Sequence, residues 1–250
     1  MIDFYSLGRR FKRANFPGKS ILNSLYYSPE YTLIRLKDFD YVVIDGCKFL
    51  VDDQLESIQR VEGNPWFSNV RETDICLDIG SNIGSITIPL AKKAKMVYSI
   101  EPLFADSLKK NIELNGLSNV EVLEYGIWST PGTQKVEFSS RQGSMKVVTF
   151  GELLKLTGHI DWMKVDCEGA EWWIEPNECR GIRELRLEFH IRRHNRKQDY
   201  FLYEGWLEWL HKEGYILNVE KDWRAGPFVP FSDIKYVNAS LKGGNYGSLV

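Results

Sequence analysis

The chain has 250 residues, of which 43% are hydrophobic and 26% are charged, and its formal net charge is −2. This length suits one α/β domain with an extension or two small domains, and the composition is that of a globular protein. The small net charge excludes a protein that binds polyanions through its overall charge. The sequence contains no apolar run of bilayer length and no apolar signal core near residue 1, so we expect no membrane association.

The cysteines predict a protein of a reducing compartment. Cys47, Cys76, Cys167 and Cys179 form no CxxC pair, which argues against a zinc site and against a disulfide framework. We therefore expect a cytoplasmic protein. The sequence does not indicate an oligomeric state.

The first 70 residues are predicted to form an extension ahead of the main domain. Residues 1–20 are locally basic, which predicts a solvated arm, with contact to an anionic partner as the alternative. Residues 31–53 are rich in β-branched and aromatic residues, which predicts a hairpin or a small sheet. Turn signals at 63–65 place the boundary nearby. We therefore predict an N-terminal extension with a β-hairpin over 1–70 and a main domain over 71–250.

From residue 74 onward, strand-like segments alternate with helix-like ones. The predicted strands are 75–80, 96–102, 120–128, 160–167, 184–191, 215–221 and 234–241, with an extra hairpin piece at 134–138. The predicted helices are 85–95, 105–116, 149–158 and 200–214. This alternation predicts a parallel or mostly parallel sheet covered on both faces. Ligands of such a sheet bind beyond the carboxyl ends of its strands.

A glycine-containing loop joins the first of these strands to the first helix. In "LDIGSNIGS" (77–85), Gly80 and Gly84 allow the backbone to approach a ligand, and Glu101 ends the next strand, 21 positions after Gly80. In dinucleotide-binding folds an acid about 20 residues after the glycine-rich turn holds ribose hydroxyls. The spacing D-x-G-x-x-x-G nevertheless differs from G-x-G-x-x-G, and Asp78 would repel a pyrophosphate. This argues against a dehydrogenase and favours a cofactor with a cationic amine.

The loop and the strand-end acid resemble the S-adenosyl-L-methionine site of class I methyltransferases. The resemblance implies a Rossmann-like fold with a mostly parallel seven-stranded sheet and helices on both faces. It also implies that Asp78 faces the methionine end of the cofactor, that Gly80 to Gly84 wrap that end, and that Glu101 takes the ribose hydroxyls. The third strand, which ends near Tyr125, is expected to contact the adenine. The predicted cofactor-binding residues are Asp78, Gly80, Ser81, Asn82, Gly84, Glu101, Pro102, Gly126 and Ile127.

Charged residues crowd the end of the fourth strand in "MKVDCEGAEWW" (163–173). Strand alternation puts Lys164 and Asp166 on one side of the sheet, and Glu188 and His190 follow the same period on the fifth strand. If these strands are neighbours, Lys164 is expected to pair with Glu188, because a buried ammonium without a partner is costly.

The stretch "MKVDCEGAE", together with "LDIGSNIG" and "IEP", resembles the FkbM family of methyltransferases. The chain keeps every charged position of the family pattern K-x-D-x-E-G-x-E, and "NIELNGLSNVEV" and "LEFH" (187–190) are also similar. The resemblance covers roughly residues 74–191. It implies methyl transfer to a hydroxyl oxygen of a small acceptor that is carbohydrate-like or anionic.

Chemistry and resemblance together suggest roles for the crowded acids. Asp166 is the first candidate for the general base that assists a hydroxyl, followed by Glu168 and then His190. Lys164 is expected to act as their counter-charge, and Glu171 is expected to stabilise a helix N-terminus. An alternative is that the two acids and His190 hold Mg²⁺ or a softer ion. A neighbouring lysine disfavours a cation, so we expect no metal.

Two further functions remain open from the sequence. The segment "IRRHNRK" (191–197) contains Arg192, Arg193, Arg196 and Lys197, which form either a solvated loop or a positive lip for an anionic acceptor, including nucleic acid. An RNA methyltransferase is therefore one alternative, and a non-catalytic protein that uses the cofactor fold for binding is another. The Asn/Asp-Pro-Pro-aromatic motif is missing after the fourth strand, which favours oxygen over a base nitrogen as acceptor.

Overall fold

The structure is a computed structural model. It describes residues 32–35, 40–50, 64–138, 141–220 and 231–242. The basic arm predicted over 1–20 lies outside these residues. None of the helices in the described ranges is long and apolar enough to cross a membrane.

The elements of the described residues follow in chain order. The strands are β1 (Thr32–Arg35), β2 (Asp40–Ile44), β3 (Cys47–Leu50), β4 (Ile75–Ile79), β5 (Met96–Ile100), β6 (Val120–Leu123), β7 (Gly126–Ile127), β8 (Gly132–Phe138), β9 (Arg141–Val148), β10 (Trp162–Val165), β11 (Glu184–Arg192), β12 (Tyr215–Val219) and β13 (Phe231–Leu241). The α-helices are α1 (Thr87–Ala91), α2 (Ala105–Leu114), α3 (Phe150–Thr157) and α4 (Arg196–Lys212). Short 3₁₀ turns cover Pro65–Phe67, Ala170–Trp173, Pro176–Cys179 and Arg193–Asn195.

Seven strands form the central sheet, in the order β12-β13-β11-β10-β4-β5-β6. The five strands from β11 to β6 pair in parallel, whereas β13 runs antiparallel to both β11 and β12. This is the Rossmann-like class I methyltransferase sheet, so the predicted fold is confirmed. The strand order also makes β4 and β10 neighbours, which brings the glycine loop and the acidic turn to the same edge.

The two faces of the sheet carry two separate apolar clusters. Leu77 and Met163 belong to the larger cluster, whereas their chain neighbours Cys76 and Trp162 belong to the other. All four side chains are fully buried. Because successive strand side chains point to opposite faces, this division explains why the parallel strands are apolar on both sides.

The first helix is shorter than predicted. The sequence suggested a helix over 85–95, but α1 covers only five residues because a turn occupies 82–86, where Gly84 has a φ of +96°. Pro89 lies within the first turn of α1, where a missing N–H removes no intrahelical hydrogen bond. The other three helices lie where the sequence placed them.

Two small sheets accompany the central one. Strands β1, β2 and β3 form an antiparallel sheet, and the N–H groups of Lys48 and Leu50 donate to Asn115 Oδ1 and Asn111 Oδ1 of α2, both at 2.8 Å. The described part of the predicted extension therefore packs on the main domain. Strands β8 and β9 form the hairpin suggested by 134–138, and β7 pairs with β9.

Strand β11 carries a row of charged side chains on one face. Glu184, Arg186, Glu188 and His190 alternate with apolar residues and are all buried. Arg186 donates to Glu184 Oε2 at 2.9 Å and to the Ser68 carbonyl at 3.1 Å, so the amino-terminal half of the row is an internal ion pair. The carboxyl-terminal half, Glu188 and His190, reaches the edge of the sheet where ligands of this fold bind.

Candidate active site

A cavity of about 570 Å³ opens at the carboxyl ends of β4, β5 and β10. This volume lies within the range of small-ligand sites. Of the predicted site residues, it is lined by Gly80, Asn82, Glu101, Pro102, Gly126, Ile127, Lys164, Asp166 and Glu168. Asp78, Ser81, Gly84 and His190 lie behind its wall. The structure thus brings most of the predicted residues together, but in two layers.

Asp78 is fully buried and turned into the protein. Its Oδ2 accepts a hydrogen bond from Thr87 Oγ1 at 2.6 Å, and its Oδ1 lies 3.4 Å from Lys164 Nζ. The carboxylate is therefore used inside the fold, where the sequence had suggested a direct contact with the methionine end of the cofactor. It ties β4 to α1 and to β10.

The glycine loop is shaped by internal packing. A Cβ on Gly80, whose φ is +77°, would lie 1.7 Å from the backbone oxygen of Asp166, so glycine here lets the ends of β4 and β10 approach each other. A Cβ on Gly84 would lie 2.8 Å from Leu108 Cδ1 of α2. Ser81 Oγ donates to the backbone oxygen of Asp78 at 2.7 Å. Gly80 and Asn82 are the members of this loop that face the cavity among the five predicted residues.

Glu101 ends β5 with a carboxylate bound by three backbone N–H groups. Its Oε2 accepts from Asn82 at 2.8 Å, and its Oε1 accepts from Leu103 and Phe104 at 2.7 and 3.0 Å. Burial raises the pKa of Glu101 above its usual value, although these N–H groups oppose the shift. Oε2 takes only one of these N–H groups, so it retains a lone pair that fits a ribose hydroxyl.

Lys164 connects the glycine loop to the acidic turn. Its Nζ lies 3.4 Å from Asp78 Oδ1 and 3.6 Å from Asp166 Oδ2, and it donates to the Gly80 carbonyl at 2.7 Å. Burial opposes the charged form, but Asp166 and Asp78 outweigh it, so the pKa of Lys164 is raised. Glu188, the partner predicted from the sequence, also raises the pKa of Lys164, but it contributes less than these two aspartates. The reason is register, because Lys164 lies opposite Arg186, two positions before Glu188.

Four acids, which we call the carboxylate cluster, surround His190: Asp166, Glu168, Glu171 and Glu188. His190 Nδ1 lies 3.1 Å from Glu171, and Nε2 lies 3.4 Å from Glu168, 3.5 Å from Glu188 and 3.9 Å from Asp166. Burial lowers the pKa of His190, but Glu171 and the other acids outweigh it and raise the pKa to about 10. At neutral pH the imidazole is therefore a cation that donates, and it is unsuited to the role of general base that the sequence left open.

Glu171 anchors this histidine from inside the protein. Its Oε1 accepts from the His190 backbone N–H at 2.6 Å, and its Oε2 accepts from the Gly169 N–H at 2.8 Å. The side chain is fully buried. The sequence predicted Glu171 at a helix N-terminus, and it lies in the first turn of the short 3₁₀ segment Ala170–Trp173, where it accepts from the preceding Gly169. Its contact with His190 adds a role that the sequence did not indicate.

Sequence reasoning missed the roles of Glu188 and Tyr236 at the cavity. Both line it, and they lie opposite each other in the β11–β13 pair. Burial and then Asp166 raise the pKa of Glu188 to about 8. Burial and then Glu188 raise the pKa of Tyr236. The period-two spacing placed Glu188 on the same side of the sheet as His190, but the sequence assigned Glu188 only as a partner of Lys164.

The spacing of three side chains would also allow a metal ion. Ligand atoms of Asp166, Glu168 and His190 all lie within 4.8 Å of one another. Lys164 is 3.6 Å from Asp166, however, and the pKa of His190 keeps its ring protonated. Lys164 and His190 place two positive charges beside these acids, so the side chains form an ion-pair network.

A pair of tryptophans, also missed in the sequence, lines the cavity on the side of the acidic turn. The rings of Trp128 and Trp173 have centroids 5.3 Å apart and planes inclined by 46°. Trp173 is 38% exposed. Tyr125 lines the same cavity.

The basic lip, which comprises Arg192, Arg193, Arg196 and Lys197, is partly neutralised. Arg192 Nη2 lies 2.6 Å from Asp199 Oδ1, and Arg196 Nη2 lies 3.2 Å from Asp233 Oδ2. Arg193 and Lys197 are exposed. Arg192 also lines the cavity, so the lip begins at its mouth.

No family model matches the chain. Among curated proteins, it is 39% identical over 59 residues to the probable ribosomal RNA small subunit methyltransferase A of Methanosphaera stadtmanae, which covers 23% of this chain and 22% of that protein. It is 44% identical over 90 residues to an uncharacterized RNA methyltransferase of Oceanobacillus iheyensis, which covers 35% of this chain and 17% of that protein. The matched part thus spans about a fifth of the length of these relatives.

Solved structures with a similar chain path include TYW2 of M. jannaschii in complex with AdoMet and Trm5b of Pyrococcus abyssi. TYW2 is 21% identical, with a TM-score of 0.47, and the match covers 83% of this chain and 87% of that chain. Trm5b is 14% identical, with a TM-score of 0.48, and the match covers 85% and 63%. The chain has the class I methyltransferase fold. The cofactor predicted from the sequence, S-adenosyl-L-methionine, is the ligand named in the first of these structures.

The resemblance to the FkbM family is overturned by these findings, because no family model matches and the named relatives are RNA methyltransferases. The motif misled for a physical reason. Lys164 binds Asp78 and Glu171 binds His190, so half of its charged positions support the fold and carry no information about the acceptor. The prediction of O-methylation of a carbohydrate-like or other small acceptor rested on that resemblance and is wrong with it.

Proposed function

We propose that this chain is an S-adenosylmethionine-dependent RNA methyltransferase. The observation that carries the proposal is the identity of up to 44% with stretches of proteins named as RNA methyltransferases. The cavity at the carboxyl ends of β4, β5 and β10 supports it, because this is the edge at which ligands of such a sheet bind. The RNA alternative drawn from the basic lip therefore replaces the small acceptor.

The cofactor is proposed to bind along the β4–β5 side of the cavity. Glu101 offers Oε2 to the ribose hydroxyls, with Asn82 and Pro102 beside it, and the backbone at Gly126 and Ile127 faces the adenine. Asp78, Ser81 and Gly84 shape the loop from behind. When bound, S-adenosylmethionine supplies a methyl group that is activated by the positive charge on its sulfur.

The acceptor group is proposed to be oriented by Asp166. Its side chain is 26% exposed at the cavity, and its two oxygens are flanked by Lys164 at 3.6 Å and by His190 at 3.9 Å. These cations hold the carboxylate in place, so it can accept a hydrogen bond or a proton from the acceptor. Glu168 lies at the rim, 43% exposed, and is the second candidate.

The direct test is methyl transfer from radiolabelled S-adenosylmethionine to RNA. We expect label in unmodified ribosomal or transfer RNA transcripts, and we expect ribonuclease to remove it from the precipitate. Glu101→Gln is the matched variant, because it keeps the shape of the side chain and weakens the ribose contact. It should raise the dissociation constant for S-adenosylmethionine in calorimetry. Cofactor binding without transfer to any RNA would support the remaining alternative, a non-catalytic binding protein.

A further inference from the structure

Trp173 occupies an unusual position for a large apolar side chain. Five such side chains are exposed in the described part of the chain: Leu156, Trp173, Phe201, Ile216 and Val219. Of these five, Trp173 is the one that lines the cavity. An indole left in contact with water forgoes the free energy of burying its surface, so a ligand that covers it gains that free energy on binding.

The neighbouring ring fixes how Trp173 is presented. Trp128 follows β7, and its backbone N–H donates to the Val148 carbonyl at 3.0 Å, which extends the pairing of β7 with β9. Its ring packs on Trp173 with a centroid distance of 5.3 Å. Trp128 itself is half-buried. The pair is thus a supported aromatic surface at the cavity wall.

The geometry points to a nucleobase of the RNA acceptor as the group that stacks on Trp173, with Trp128 supporting the ring. This inference rests on the proposed function and names the substrate contact of the same site. Base stacking on an aromatic side chain is tolerant of sequence, because every base has a π-face. An enzyme that modifies a base must reach an unstacked nucleotide, and aromatic side chains hold such bases.

The strand order separates the ribose contact of the cofactor from the reacting end of the cavity. Glu101 ends β5 and Asp166 follows β10, with β4 between the two strands. The cavity therefore runs from the ribose-binding end at β5 to the reacting end at β10. Trp173 lies in the 3₁₀ turn that follows Asp166, and this turn also packs against β7. The adenine of the cofactor is therefore the competing occupant, which the experiment has to distinguish from a base of the RNA.

Charge around Trp173 suits a nucleotide. Arg192 lines the same cavity and begins the basic lip, in which Arg193 and Lys197 are exposed. A base stacked on Trp173 would bring its phosphates towards this positive segment. A neutral aromatic metabolite would gain nothing from the lip.

The experiment compares Trp173→Leu and Trp173→Phe with the control Phe201→Leu, an exposed aromatic residue on α4 outside the cavity. Each protein is saturated with S-adenosylhomocysteine, and its affinity for unmodified ribosomal and transfer RNA transcripts is measured at one salt concentration. Stacking predicts that Trp173→Leu weakens RNA binding by at least about fivefold, that Trp173→Phe retains most of it, and that Phe201→Leu does not change it. The affinity for S-adenosylhomocysteine should stay unchanged in all three.

A second measurement tests the stacking with nucleoside monophosphates, so it needs neither RNA nor methyl transfer. Nucleoside monophosphates should quench the tryptophan fluorescence of the S-adenosylhomocysteine complex, and Trp173→Phe should lose that quenching. If Trp173→Leu weakens S-adenosylhomocysteine binding as strongly as RNA binding, the cofactor's adenine is the occupant and the inference fails. Unchanged RNA affinity together with unchanged quenching would also overturn it. Absence of methyl transfer to RNA by the unaltered protein would instead contradict the proposed function, while the quenching result still decides the stacking.

Discussion

The carboxylate cluster combines four acids with two buried cations, and three of the acids, Asp166, Glu168 and Glu188, line the cavity. His190 is 1% exposed and Lys164 is 2% exposed, so neither cation is screened by water. The excess of negative charge in the cluster is reduced at Glu188. Its pKa rises to about 8 because burial and Asp166 disfavour its charge. Near neutral pH the site therefore holds a proton on Glu188 and another on His190. Asp166 is the acid of the cluster that stands between both cations and the cavity.

The proton on Glu188 predicts how stability depends on pH. A raised carboxyl pKa means that the folded protein holds the proton more tightly than the unfolded chain, so stability falls as pH rises from about 4.5 through about 8. The raised pKa of His190 acts in the same direction from about 6.5 through about 10. We expect Glu188→Gln to flatten the loss of unfolding free energy between about pH 5 and pH 9, as measured by urea denaturation. A slope equal to that of the unaltered protein would show that Glu188 is ionised throughout.

Asp166 carries the second prediction at this scale. If its carboxylate assists the acceptor, Asp166→Asn should lower the rate of methyl transfer by about 10²- to 10⁴-fold, which is the usual range for a positioned acid or base. The dissociation constant for S-adenosylmethionine should change little, because the ribose contact lies at Glu101. Glu168→Gln, at the exposed rim, is the comparison and should cost less. Near-normal turnover of both variants would mean that alignment alone drives the transfer.

The acids of this site could be predicted from the sequence only in part. Parallel strands end at one edge, so the positions of Asp166 and His190 followed from strand alternation. The directions of the next acids depend on loop dihedrals that no periodicity describes. Glu168 adopts a left-handed φ of +57° and faces outward, whereas Glu171, three residues later, points inward to His190. The pattern of charges in the sequence does not distinguish the direction of the Glu168 side chain from that of Glu171.

At the scale of elements, the ends of β4 and β10 approach each other closely. Their paired registers bring Asp78 beside Lys164 and Ile79 beside Val165, so the loop after each strand starts at the same level. The N–H of Asp166 then donates to the Ile79 carbonyl at 3.1 Å. Gly80, which follows Ile79, leaves no room for a side chain next to the Asp166 backbone, and this explains the glycine at this position.

Gly80→Ala tests this approach against a matched glycine. At Gly80 a Cβ would lie 1.7 Å from the Asp166 carbonyl oxygen, whereas at Gly116, which follows α2 with a φ of +64°, nothing lies within 4 Å. Alanine at a left-handed position costs about 1–2 kcal/mol, so Gly116→Ala should lower the free energy of unfolding by about that amount. Gly80→Ala should cost clearly more and should also weaken S-adenosylmethionine binding, because it displaces the strand ends. Urea denaturation and calorimetry give the two readouts, and equal costs for the two variants would contradict the close approach.

Element types were largely predictable, and their lengths were not. Long periodic segments such as 105–116 and 200–214 correspond to α2 and α4. Their apolar faces pack on the sheet, and this packing does not depend on the conformation of the neighbouring loops. The segment 85–95 has a similar apolar content, yet only Thr87–Ala91 is helical. The turn at 82–86 uses those residues to close on Glu101, which is a tertiary contact between two strand ends.

Over the whole molecule, charge is distributed so that a nearly neutral chain still offers a local positive surface. The net charge is −2, and acids match the arginines nearest the fold, Arg192 by Asp199 and Arg196 by Asp233. These ion pairs order the start of α4 beside the cavity. Arg193, Arg196 and Lys197 are the exposed members of the lip, and Arg193 also donates from Nε to the Phe231 carbonyl at 3.0 Å. Arg193 and Lys197 flank this segment on its solvent side, where an incoming phosphate backbone can reach them.

The double variant Arg193→Ala/Lys197→Ala tests whether these two side chains of the lip contact the phosphates of RNA. The quantity measured is the slope of the logarithm of the RNA-binding constant against the logarithm of the salt concentration. Each lost phosphate contact should make this slope less steep by about 0.7–0.9, so the loss of two contacts should change it by about 1.4–1.8. RNA binding should therefore weaken most at low salt, while calorimetry with S-adenosylmethionine stays unchanged. The matched control is Lys110→Ala/Lys155→Ala, which removes the same charge from exposed positions on α2 and α3. If both double variants shift the salt dependence equally, RNA is attracted by overall charge, and the lip has no special part in placing the acceptor at the cavity.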